Sequence, residues 1–197
     1  MGIITITEGD ILLDGISVVK EPIVCKRKMA YVPDTPRLEE YMTGMQYLNF
    51  VCDIYQISAK ERKQNIERLI HAFQMEPHIS GLISSYSHGM KQKVALIAAF
   101  SHNPKLLVLD EPFVGLDPEA FIALKEQMKM LCRKGSSILF SSHILDVVEK
   151  LCNIISIIKD GRLLYSGTTE ELIGVEGLEE AFMELNSNES FDPSIEK

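Results

Sequence analysis

Residues 105–118 read KLLVLDEPFVGLDP, and they constrain the fold more than any other stretch of the chain. Leu106, Leu107, Val108 and Leu109 run without alternation into Asp110 and Glu111. A short, unbroken apolar run predicts a strand buried on both faces, as in a parallel sheet with helices on each side. Ligands of such sheets bind just beyond the carboxyl ends of the strands, which is where Asp110 and Glu111 fall. Two adjacent carboxylates at that position suit phosphoryl chemistry, one to hold a metal ion and the next to act on the attacking water. Alone, the same pair also fits a helix cap or a solvated strand end. Pro112 stops the strand, and Asp117-Pro118 opens a helix, with Asp as N-cap and Pro in the first turn.

The remainder of the chain narrows the class. Its 197 residues suggest about one domain, and 46% hydrophobic content is enough for a core. A net charge of −8 argues against a nucleic-acid partner. The longest apolar run, residues 94–100, is far shorter than the roughly 18 residues of a membrane span. No basic-then-apolar leader is visible. The four cysteines (Cys25, Cys52, Cys132 and Cys152) are widely spaced, which suggests reduced thiols rather than a zinc site or disulfides.

In chain order, residues 1–4 read like the tail of a helix. Residues 11–13 form a predicted strand before an Asp14-Gly15 turn, and residues 28–33 form another, stopped by Pro33 and Pro36. Asp34 stands just past it, as a turn residue or a polar residue at a second strand end. Residues 43–75 are helical in pattern. Thr43/Gln46 and Ser58/Glu61 have capping-box spacing, and Ile66, Leu69, Ile70 and Phe73 share one helix face. Tyr41, Tyr47, Phe50 and Tyr55 read first as core, and second as part of a docking surface.

Residues 85–93, SYSHGMKQK, place Ser87 as N-cap of an apolar helix, with His88 and Gly89 in its first turn. A serine and a glycine at a helix N-terminus suit an anion, because free N–H groups and the helix dipole point toward it. The plainer alternative is an ordinary capped helix with His88 on its surface. An amphipathic helix after Asp117 should reach about Arg133, followed by a strand over residues 136–141. This βαβ unit has a right-handed crossover, which should bring His143 beside Glu111. Residues 154–158 and 162–166 flank an Asp160-Gly161 hairpin signal. Short helices are expected over 168–173 and 176–185, and a polar, disordered tail over 186–197.

Together these residues resemble the ATP-binding, or nucleotide-binding, subunit of ABC transporters, most closely an EcsA-like bacterial branch whose partners are separate membrane proteins. LLVLDE matches the Walker B strand with its glutamate, and YSHGM matches the signature usually written LSGGQ. Gly115-Leu116-Asp117 matches the D-loop, SSH ends in the switch histidine His143, and Asp34 falls at the Q-loop position. The resemblance implies an α/β fold over residues 1–185: a P-loop NTPase-like sheet flanked by helices, with a helical subdomain inserted at about 41–100. It implies an ATPase coupled to a membrane-spanning subunit, dimeric with a second ATPase subunit, and peripheral on the cytoplasmic face of the membrane. It also implies ATP and Mg²⁺ as cofactors. Asp110 is then the metal residue, and Glu111 and His143 are catalytic. Ser87, His88, Gly89, Asp117 and Asp34 bind or couple the nucleotide. The chain departs from the pattern at His88, Met90 and Asp34, which stand for a glycine and two glutamines. No G-x-x-x-x-G-K-[ST] occurs in the 197 residues. That loop cradles the phosphates, so the resemblance is to a subunit shortened at its N-terminus. Weak ATP binding and incompletely covered strand faces are expected. The alternative function is a catalytically silent module that docks on partners.

Overall fold

The structure is a computed structural model, and it describes residues 4–173 and 177–187. The chain divides into two compact units, residues 1–141 and 142–197, where its length suggested about one.

The first unit opens with a short antiparallel hairpin, β1 (Leu12–Leu13) and β2 (Ile16–Ser17). Asp14 and Gly15 turn it with positive φ, as an Asp-Gly turn requires. A helix that periodicity did not reveal, α1 (Pro22–Arg27), follows with Pro22 in its first turn. Then comes β3 (Met29–Val32).

The helical subdomain is built from α2 (Gly44–Ile54), α3 (Ala59–Ala72), a 3₁₀ turn (Ile83–Ser85) and α4 (His88–Ser101). Thr43 makes the full capping box with Gln46. Ser58 also caps α3, but the Glu61 carboxylate accepts the Ser58 hydroxyl instead of reaching the backbone. Ile66, Leu69, Ile70 and Phe73 are all buried, as their spacing predicted. The aromatic stripe is not a core. Leu48 and Cys52 fill that role on α2, while Tyr41 and Phe50 are exposed. Tyr55 instead stacks on His102 and donates its hydroxyl to the Met29 carbonyl at 3.0 Å, joining α2 to the strand β3.

Strand β4 (Leu106–Asp110) is the middle of a parallel sheet of order β3-β4-β5, with β5 at Ser137–Ser141. Helix α5 (Pro118–Arg133) makes the crossover between β4 and β5, capped by Asp117 as predicted. In register, Ala30, Leu107 and Ile138 share one row, and Val32, Leu109 and Phe140 another. Leu107 and Leu109 are buried on this face, where Phe113 brings together Phe121 of α5 and Phe140. The opposite face is different. Tyr31, Val108 and Leu139 form its central row, with Tyr31 37% and Leu139 63% exposed. The apolar run of β4 therefore has one deeply buried face and one half-covered face, not two buried ones.

The second unit contains α6 (Leu145–Leu151), the hairpin β6 (Ile154–Lys159) and β7 (Arg162–Thr168), α7 (Thr169–Ile173) and α8 (Leu178–Ser187). Asp160-Gly161 makes the turn with positive φ at both residues. Ile155, Ile157 and Leu178 form the core, with Phe182 and Leu172 against it. Helix α8 starts two residues later than predicted and includes Asn186 and Ser187, which the sequence assigned to the tail. The expectations for residues 1–3 and 188–197 lie outside the described residues.

Candidate active site at the sheet edge

Asp110 ends β4, and Glu111 follows with φ +43°, a left-handed conformation that non-glycine residues seldom adopt. Parallel pairing sets Asp110 directly opposite Ser141 of β5. Ser141 Oγ donates to Asp110 Oδ1 at 2.6 Å and accepts from the Glu111 N–H at 3.0 Å. One hydroxyl thus holds both members of the carboxylate pair. Sequence reasoning missed Ser141. The signal was present in principle, because two parallel strands ending together at Asp110 and Ser141 put those residues in one row.

The second cluster lies where α4 begins. Ser87 caps the helix, its Oγ accepting from the Met90 N–H at 3.3 Å. The hydroxyl of Tyr86, just before it, donates to the His78 carbonyl at 2.7 Å and so ties the turn to the loop ahead of it. Gly89 has a close neighbour within the chain: a Cβ there would lie 2.7 Å from the Gly115 carbonyl oxygen. His88 is exposed at the helix start, and its ring also meets this loop. A Cβ on Gly115, which has φ +76°, would lie 2.9 Å from His88 Cδ2. Asp117 completes the interlock, accepting from the Ala120 N–H at 2.8 Å and pairing with Lys93 of α4 at 2.5 Å. The Lys93 hydrogen bond, helped by the Ala120 amide, holds the Asp117 carboxyl below its ordinary value. Signature turn and D-loop are therefore one packed feature, and Lys93 belongs to it although the motif reading left it without a role.

Asp34 lies in the loop that follows β3. Its Oδ1 accepts from the Thr35 N–H at 2.7 Å, and it lines a groove of about 770 Å³ with Tyr47, Tyr55 and His102. His143 belongs to the second unit, between β5 and α6, beside Asp146, Glu149 and Leu178. Within the first unit the sequence-predicted residues are the carboxylate pair, the signature with its D-loop and Asp34 in the groove, and His143 is a residue of the second unit. The half-buried Asp110 carboxylate, oriented through one oxygen, has the hard-oxygen chemistry that suits a hydrated Mg²⁺. The exposed α4 N-terminus suits a phosphate oxygen.

Comparison with known proteins gives the family. The family model described as ABC transporter matches residues 1–114. The ATP-binding protein EcsA of Bacillus subtilis is 34% identical over 184 residues, covering 93% of this chain and 74% of EcsA. The B. subtilis ATP-binding protein NatA is 33% identical over 167 residues, covering 84% of this chain and 68% of NatA. A solved ATP-binding subunit of an ABC transporter superposes with a TM-score of 0.90 at 34% identity, covering 94% of this chain and 79% of that one. The chain belongs to the ABC transporter family, as an ATP-binding subunit of the ATPase type that powers such a transporter.

Proposed function

We propose that Asp110 and Glu111 form the water-activating part of an ATP-hydrolysing site. Ser87, His88 and Gly89 then offer the α4 N-terminus to the phosphate of a nucleotide held by a second, facing ATPase subunit. The observation that carries this reading is the geometry at the β4 end, where one hydroxyl binds the Asp110 carboxylate and the Glu111 main-chain N–H. Asp110 would hold Mg²⁺ through water. That ion, when bound, offsets the charge that gathers on the phosphoryl oxygens. Glu111 orients the attacking water and takes its proton. His143 is assigned to the phosphate as well, and Asp117 to coupling between the two subunits.

Partner docking is assigned to the groove lined by Asp34, Tyr47, Tyr55 and His102, which joins the end of β3 to the helical subdomain. A membrane-spanning subunit seated there would act on Asp34 directly, and it would hold the chain at the cytoplasmic face of the membrane. Among the described residues no helix is long and apolar enough to cross a membrane.

A second reading has one observation in its favour. The 197 residues hold no G-x-x-x-x-G-K-[ST], the loop that cradles the phosphates of a nucleotide. In that reading the chain completes a facing subunit's site and does not turn over ATP itself. Calorimetry with Mg·ATP tests both readings. The 197-residue chain alone is expected to show no tight binding, and a facing subunit that carries the loop should bind it only when ATP is present. Tight binding by the chain alone would contradict the silent-module reading. Association indifferent to ATP would contradict the role given to Ser87 and Gly89.

A further inference from the structure

We infer that Ser141 is a positioning residue for the carboxylate pair, an inference that rests on the reading of Asp110 and Glu111 given above. Ser141 ends β5, an outer strand of the sheet among the described residues, and is itself exposed, so water could satisfy its hydroxyl. The hydroxyl is instead committed in both directions to the dipeptide opposite. It gives its proton to Asp110 Oδ1 at 2.6 Å and receives the Glu111 N–H at 3.0 Å.

These two bonds have different consequences. The bond to Asp110 is charge-assisted and fixes the rotation of the carboxylate while using only one of its oxygens, which leaves Oδ2 clear of Ser141. The bond from the Glu111 amide fixes the backbone at a residue with φ +43°. Such a conformation persists only where the surroundings over-determine it. The direction in which the Glu111 side chain leaves the sheet depends on that φ, so Ser141 acts on the general base through the main chain. Sheet register makes the arrangement possible, since Ser141 is the residue paired with Asp110. An alanine at this position would keep the strand and lose both bonds. A threonine would keep both and is well suited to a strand.

The experiment is site-resolved amide hydrogen exchange on the full 197-residue chain, comparing wild type, Ser141→Ala and Ser141→Thr. In Ser141→Ala the Glu111 amide should exchange at least about tenfold faster, while the amides of Leu107 and Leu109 keep their protection. Ser141→Thr should restore the slow exchange. An unchanged Glu111 amide in Ser141→Ala overturns the inference. So does equal loss of protection along all of β4, which would make Ser141 a general support of the sheet. Failure of Ser141→Thr to restore protection counts against it too. The functional reading fails by a separate route, through turnover that does not need Glu111, and that result leaves the amide measurement intact.

Discussion

The end of β4 and the start of α4, the two places to which chemistry is assigned in the proposed function, are held in place by opposite means. At the β4 end a side chain is present for the purpose, Ser141, and it works through two hydrogen bonds. At the α4 start the device is the lack of a side chain. Gly89 admits the Gly115 carbonyl, and Gly115 admits the His88 ring. The first region is broken by removing an oxygen, the second by adding a methyl group. The difference also locates this chain's departure from the usual signature. His88 stands where a glycine is usual, and its ring rests against the D-loop glycine of the same chain.

Changes that add atoms should have the largest effect. Gly115→Ala forces a non-glycine residue to φ +76° and pushes its Cβ against His88, so a loss of roughly 1–3 kcal/mol is expected in denaturant unfolding. Part of that loss should disappear in the His88→Ala background. Equal losses in both backgrounds would show that the ring does not touch the loop. Gly89→Ala comes next, at about 1–2 kcal/mol, because the obstacle is a backbone carbonyl that yields only if the loop moves.

The Lys93–Asp117 pair is a smaller contributor, since Asp117 is 43% exposed and solvent screens it to under about 1 kcal/mol. Its sign is fixed by the depressed Asp117 carboxyl. The stabilisation is complete above the unfolded aspartate value near 4 and fades as pH falls through the folded one. Lys93→Met should flatten that acid limb in pH-dependent unfolding. His102 is a control outside both turns. Burial pushes its imidazole below the ordinary histidine value. The folded state therefore takes up its proton later than the unfolded chain, and stability declines as pH drops through about 6.5. His102→Phe keeps a ring against Tyr55 and should remove the decline.

The parts of the molecule legible in sequence were those whose signals are local. Thr43, Ser58, Ser87 and Asp117 all proved to be helix caps, and the Asp-Gly turns lie where the dipeptides stand. The β4 strand and its carboxylates could be read from a dozen consecutive letters. What could not be read depends on partners distant in sequence. Ser141 acquires its role only from pairing with Asp110 across a parallel register, and Lys93 only from meeting Asp117. Helix α1 was missed because six residues are too short for periodicity to speak. The half-covered face of β4 was missed because an unbroken run of leucine and valine carries no alternation to report it.

The central claim is that Glu111, set by the β4 end, activates the water. Its most direct test is Glu111→Gln in a chain extended at its N-terminus to carry a G-x-x-x-x-G-K-[ST] loop. ATP turnover and ATP binding would be measured side by side. Turnover should fall at least about 100-fold while binding stays at the wild-type level. Turnover at the wild-type rate would contradict the assignment.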